Sequence, residues 1–362
     1  MLEWIQERVK AMDTQFDSKR FINLIRGYAI LLMLWGHSIQ YCTNNQFDFF
    51  ENIAFKFIYS HHMPLFMIIS GYLFCYSAKK RTMVELVEHK AKSLLYPILM
   101  GSACNLILSN GIGLIIGRGT IGDLIEGIPL NSLWFLWSVL SASIVFSFVI
   151  KGSDKVIIKL LVFLLSVGMI AIFPGFVFNA WLYPYFILGY LIAKYPDIYK
   201  SIEKYVGIVS IVAFIGMLFF FEKKHFIYTT GLIGGGSIAD SIKIDVFRWM
   251  IGLFGSLSVI YILKLFFKFA RNDKIQKLFL CIEKVGEESL GVYVLSVSIL
   301  SHWLQISAEW MLSNCTWINW NEIIYVFNFI ITPSIAIVYA VFLVWLIKKL
   351  RKLGIYRIIF GR

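Results

Sequence analysis

Arg26 and His37 stand eleven residues apart in an otherwise apolar run, Arg26-Gly-Tyr-Ala-Ile-Leu-Leu-Met-Leu-Trp-Gly-His37. At about 100° per residue, a helix returns the two to within about 20° of one face, with a rise of about 16 Å between them. Ionisable groups inside an apolar span are expensive and are functional candidates by default. One face of one helix would thus present a fixed cation near one surface and a titratable group far below it. An imidazole deeper on the same face suits proton transfer near neutral pH. The bland alternative is an arginine that snorkels to lipid phosphates and a histidine that bonds a neighbouring helix.

A second apolar run carries His61-His62-Met63-Pro64-Leu65-Phe66, then Ser70-Gly71-Tyr72. Adjacent helical residues point about 100° apart, so at most one of the two histidines faces the same site as His37. The spacing is poor for a shared metal, which favours i,i+3 or i,i+4 pairs. No acidic or cysteine ligand lies close in sequence, so no metal site is expected. Pro64 frees a backbone carbonyl, a break tolerated where a helix lines a cavity or is buried in protein. Arg248 pairs naturally with Asp245 at i,i+3, and Lys56 sits one turn inside an outer end; both read as structural.

Holding such groups takes helices in a bilayer. The chain has 362 residues, 59% hydrophobic and only 15% charged. Soluble domains average about 45–50% apolar and about 25% charged residues, so a soluble enzyme, a disulfide scaffold and a disordered chain are excluded. Ten apolar spans lie near 21–40, 52–75, 93–112, 131–150, 156–173, 180–194, 205–221, 244–269, 288–306 and 322–347. The sixth is short for a crossing of about 20 residues and reads as tilted or re-entrant. Lys and Arg crowd into alternate connecting segments, while the opposite segments keep only Arg118, Lys223, Lys224 and Lys243. That asymmetry predicts an all-α membrane protein of about ten transmembrane helices with both termini cytoplasmic. The net charge of +12 then belongs to inner loops and not to nucleic-acid binding.

Residues 1–20 read as an interfacial segment with Trp4, Ile5, Val9 and Met12 on one helical face. Residues 21–347 form one transmembrane domain, opened by an uncleaved anchor, and 348–362 a basic cytoplasmic tail. The loop 222–243 carries Gly231, Gly234, Gly235 and Gly236 without the Gly-Lys-Ser/Thr of a phosphate loop, and reads as a flexible outer loop. Cys42 and Cys315 fall on the outer side and are expected as unpaired thiols.

The ordered set of motifs resembles the integral-membrane acyltransferase-3 family. Arg26-x10-His37 opens the first span and Ser70-Gly71-Tyr72 follows in the second. His62-Met63-Pro64-Leu65-Phe66 is similar to the branch of fucose 4-O-acetylase-related proteins. Lys90 and Lys92 before Tyr96-Pro97, then Trp134-Phe135-Leu136, Tyr185-Phe186-Ile187-Leu188-Gly189-Tyr190 and Ser289-Leu290-Gly291-Val292-Tyr293, continue the family's order along the whole chain. The chain departs from the pattern at Asn23, where many members have Asp, at Ser93, where many are basic, and at Ser296, where many have His.

The resemblance implies acyl transfer, usually of acetyl, from cytoplasmic acetyl-CoA to a hydroxyl of a sugar. The acceptor would be a surface polysaccharide or its lipid-linked precursor, and the enzyme would sit in the bacterial cytoplasmic membrane. Acetyl-CoA would be a substrate, with no bound cofactor. Arg26, Lys90 and Lys92 would meet the CoA phosphates, helped by Lys79, Lys80 and Arg81. His37 would serve as general base or as a transient acyl carrier. His62, and after it Ser70 or Tyr72, would orient His37 or stabilise the oxyanion. Trp134 would stack on sugar or adenine, and Tyr293 would support the site. A glycan transporter or flippase, or a polymerase of polysaccharide export, would share the span count. No internal symmetry and no large charged outer loop favours either.

Overall fold

Each of the ten apolar stretches falls on a helix in the computed structural model, which describes residues 18–42, 48–115, 133–152, 154–170, 172, 176–232, 234, 236–269, 272–314 and 324–361. The interfacial segment expected before residue 18 and Cys315 lie outside the described residues. The long helices are α1 (Ser18–Cys42), α2 (Ile53–Lys79), α3 (Met83–Lys90), α4 (Tyr96–Ile115), α5 (Trp134–Lys151), α6 (Val156–Ile170), α7 (Phe176–Lys194), α8 (Pro196–Leu218), α9 (Ile238–Phe269), α10 (Asp273–Glu287), α11 (Ser289–Asn314) and α12 (Thr332–Lys352). The stretches Ser18–Cys42, Trp134–Lys151, Pro196–Leu218, Ile238–Phe269 and Ile324–Lys352 are long and apolar enough to cross a bilayer. The chain is an all-α, multi-pass membrane protein, and no strand occurs among the described residues.

Two helices begin differently from the hydropathy reading. α10 lies in a stretch that the hydropathy pass leaves between spans. Its apolar residues Ile275, Leu278, Phe279, Ile282 and Val285 recur at helical spacing, and Asn272 caps it by accepting from the Lys274 N–H. α7 starts at Phe176, which lengthens the short sixth span to 19 residues.

Close glycine crossings set the helix packing. A Cβ on Gly71 of α2 would lie 1.9 Å from the Phe186 carbonyl of α7, and one on Gly189 of α7 would lie 1.9 Å from the Ile68 carbonyl of α2. The two glycines thus face each other's backbone. α1 and α10 cross the same way: Gly27 meets the Ile282 carbonyl and Gly286 meets the Asn23 carbonyl. Small residues allow membrane helices this approach.

Prolines explain two wide turns. Ala91–Leu95 and Phe327–Ile331 are π-helical, and Pro97 and Pro333 follow them. A proline has no N–H to offer the preceding turn, and single π turns absorb the mismatch. In the second, the Thr332 N–H reaches back to Phe327 O. The next donor in that register would be Pro333, so Asn328 O loses its partner. Trp35 Nε1 of α1 donates to it instead at 3.1 Å, and so does the Thr332 hydroxyl at 3.0 Å.

The basic carboxy-terminal segment folds back as one short helix, α13 (Ile355–Phe360). Tyr96 donates to the Ile358 carbonyl at 2.5 Å, and Phe360 is fully buried.

Candidate functional site

α1 and α2 pack against each other, with His37 near the carboxyl end of α1 and His62 in the amino-terminal half of α2. The residue between them is Tyr59. Its hydroxyl lies 3.5 Å from His37 Nδ1, and its ring meets His62 edge-on at 4.8 Å. His37 Nδ1 also faces Gln40 Oε1 at 3.4 Å, and its ring stacks on Tyr41. Gly36 makes room for this arrangement, because a Cβ there would lie 2.6 Å from Tyr59 Cε2.

The two adjacent histidines separate as the helical angle requires. His62 lines a cavity of about 30 Å³ with Tyr59, Trp134, Trp181, His225 and Tyr228. Its Nδ1–H donates to Ile58 O at 2.8 Å. A carbonyl only accepts, so in the neutral ring Nε2 carries the lone pair. His61 points away, among Tyr28, Phe57 and Phe214, with Gly255 of α9 against its Cβ. Its Nδ1–H donates to Phe57 O, and its Nε2 is buried without a partner.

Trp134 opens α5 at the same cavity, stacked on Phe178 at 4.2 Å. Tyr293 lies just behind it. Its hydroxyl accepts the Phe135 N–H at 3.4 Å, satisfying one of the four free donors of a helix start. Tyr293 therefore holds the end of the helix that carries Trp134. Ser70 and Tyr72 lie at least twelve ångströms, about eight residues of helix, deeper than His62. Ser70 donates to Phe66 O, and Tyr72 pairs with the Tyr76 hydroxyl. Ser296 donates to Tyr293 O on its own helix, and the side chain of His302 lies outside the described residues.

The far ends of the helices hold the basic residues. Arg26 donates to Ser289 Oγ at 2.7 Å, where α11 begins. Around it Arg20 forms a two-pronged pair with Glu283, and Asn23 bonds Glu287 at 3.4 Å. Lys90 lies over the Phe74 ring at 5.5 Å, and Lys92 is exposed and paired with Glu88. Arg26 and His37 thus belong to two centres at opposite ends of α1, as the 16 Å rise requires.

Residues 221–231 are held beside the cavity by Arg248. Arg248 of α9 is 3% exposed and pairs with Asp245 at 2.7 Å, as the i,i+3 spacing predicts. It also donates to the carbonyls of His225, Gly231, Lys224 and Phe226 and to the Thr230 hydroxyl. A loop read from its glycines as free is in fact fastened by a buried cation. Within it the Glu222 N–H donates to His225 Nδ1 at 2.9 Å. Burial first, then nearby Lys224, lowers His225 from 6.5 to about 4. Folding thus favours the neutral ring. Its contribution is complete above pH 6.5 and is lost as pH falls toward 4. Proteolysis of the 219–237 loop should therefore speed up over that window and lose this dependence in His225→Gln. An unchanged rate down to pH 4 would contradict it.

Of the residues singled out in the sequence, His62 and Trp134 line this cavity, and His37 contacts its Tyr59 wall. Sequence reasoning missed Tyr59, Trp181, His225 and Tyr228. For Tyr59, Trp181 and Tyr228 only aromatic character is a signal, shared with much of a chain containing 11 Trp and 18 Tyr, whereas His225 is one of only six His.

The chain is 28% identical over 208 residues to nodulation protein NolL of Mesorhizobium japonicum, covering 53% of this chain and 54% of that protein. It is 29% identical over 185 residues to nodulation protein NolL of Sinorhizobium fredii, covering 48% of each. The chain thus spans about half the length of the curated relatives it matches. No solved structure matches it. The acyltransferase-3 profile, described as an acyltransferase domain, covers residues 19–349, which takes in every motif above, and the chain belongs to that family of membrane acyltransferases.

Proposed function

We propose that this protein is an O-acetyltransferase. It moves an acetyl group from cytoplasmic acetyl-CoA to a hydroxyl of a sugar, in a surface polysaccharide or its lipid-linked precursor. The observation that carries the reading is an aromatic-walled cavity lined by His62 and Tyr59, with His37 reached from it through the Tyr59 hydroxyl, while Arg26 sits at the other end of α1. Aromatic faces and a few polar groups suit the mixed surface of a sugar ring.

His37 acts as general base. It takes the proton of the acceptor hydroxyl as that oxygen attacks the thioester carbonyl. The carbon–sulfur bond then breaks, and the proton passes to the leaving thiolate. His62 presents Nε2 as a second acceptor toward the hydroxyl, since its Nδ1 proton is already engaged. Arg26, with Lys90 and Lys92 on the same side, binds the phosphates of the donor. Arg26→Ala should then raise the KM for acetyl-CoA about tenfold or more and leave the acceptor KM nearly unchanged. A loss confined to the acceptor would refute this.

The protein sits in a bacterial cytoplasmic membrane with ten spans and both termini inside. Residues 21–347 act as one unit, and the donor end faces the cytoplasm. Reporter fusions in 76–92 and 307–321 should report opposite sides, and a same-side result rules out the ten-span topology. The decisive experiment is NMR of the host's surface glycan. A deletion strain should lack O-acetyl signals that the restored gene returns. Unaltered acetylation with loss of glycan export would favour a transporter instead.

A further inference from the structure

We infer that Tyr59 is a positioning residue that fixes the tautomer and orientation of His37, and that Gly36 exists to admit it. The inference rests on the reading of His37 as the base. Tyr59 is held on all sides. Its ring stacks on Phe55 at 4.0 Å and 25°, and meets His62 and Tyr228 edge-on. A ring clamped this way can aim its hydroxyl in only one direction. Among the described residues that direction is His37 Nδ1, at 3.5 Å.

The same nitrogen faces Gln40 Oε1 at 3.4 Å. An amide oxygen accepts and never donates, and a phenol oxygen also accepts. The arrangement consistent with both neighbours puts the proton on Nδ1, shared between two oxygens. The lone pair is then on Nε2, where a base must carry it. When His37 takes up the acceptor proton, the same two oxygens stabilise the new positive charge. Tyr59 thus acts without touching the reacting atoms.

Gly36 ties this to sequence. A methyl group at that position would lie 2.6 Å from Tyr59 Cε2 and 3.3 Å from Ile58 Cγ2. The ring would have to swing, and its hydroxyl would leave His37. The Trp35-Gly36-His37 order therefore couples a bare backbone position to the side chain one residue on.

The test uses the full-length protein in detergent or nanodiscs, with acetyl-CoA and glycan isolated from the deletion host. Tyr59→Phe keeps the ring and removes the oxygen. It should lower kcat about tenfold, a typical loss for one hydrogen bond near a charge, with acceptor KM unchanged. The ¹⁵N signals of His37 should shift toward a larger Nε2–H population. Gly36→Ala should give the same change while the hydroxyl is still present. The double variant should cost no more than either single one, because both act through one contact. Wild-type kcat and unshifted ¹⁵N signals in Tyr59→Phe would overturn the inference. So would independent, additive losses in the double variant. Full activity in His37→Ala would instead remove the base assignment itself, which separates the two failures.

Discussion

Replacing His37 with alanine should reduce acetyl transfer by about 10²–10⁴-fold, the usual contribution of a positioned general base. Folded yield should stay close to that of the unsubstituted protein. The reason for the second expectation is the weakness of what His37 holds. Its hydrogen-bonding contacts are at 3.4 and 3.5 Å, and its ring partners are Tyr41 on its own helix at 5.6 Å and Tyr59 edge-on at 6.5 Å. Little packing is lost with the ring, whereas the proton acceptor is lost entirely. Initial rates with acetyl-CoA and isolated glycan, beside a melting curve for each protein, give the comparison. Substantial retained activity would end the assignment. Incubation with labelled acetyl-CoA and no acceptor adds a distinction. A base leaves no label on the protein, while an acyl carrier leaves one on His37.

A second large effect is expected far from any chemistry. Gly71→Ala would set a carbon 1.9 Å from the Phe186 carbonyl, and Gly189→Ala would set one 1.9 Å from the Ile68 carbonyl and 2.9 Å from the Tyr72 nitrogen. These neighbours are backbone, which cannot rotate aside as a side chain can. The helices α2 and α7 must part along their contact. Overpacking usually costs about 1–3 kcal/mol, and a clash with backbone belongs at or above the top of that range. Each variant should show a clear drop in melting temperature and a smaller share of monodisperse protein. Melting temperatures equal to that of the unsubstituted protein would mean that α2 and α7 do not cross this closely.

The architecture was readable from hydropathy because a bilayer demands long apolar helices and little else. α10 escaped because its apolar residues are spread around helical spacing and do not form a run. Ser70-Gly71-Tyr72 and Leu188-Gly189-Tyr190 could be recognised as separate motifs, yet neither states that its glycine is the other's partner. That relation exists only once two helices 118 residues apart have packed. The site was legible where an ionisable group stood out against an apolar background, as at Arg26, His37 and His62. It was illegible where the residue was one aromatic among many, as at Tyr59, or where a cation acts through backbone carbonyls of a distant loop, as Arg248 does. Pairing of Arg248 with Asp245 is local and was foreseen, whereas its hold on the loop is not local.

The bond from Trp35 to the orphaned Asn328 carbonyl has a consequence for leverage. A single long helix is free to roll about its own axis by a few degrees at little energetic cost. A side-chain ring sits about 6 Å from that axis, so a roll of about 10° carries it about 1 Å. A displacement of that size in a reacting group costs on the order of a hundredfold in rate. Trp35 precedes His37 by two residues and is bolted both to Asn328 O in the wide turn 327–331 and to Thr332 Oγ1 at the start of α12. The missing N–H of Pro333, on a different helix, thereby sets the angular phase at which α1 presents its imidazole.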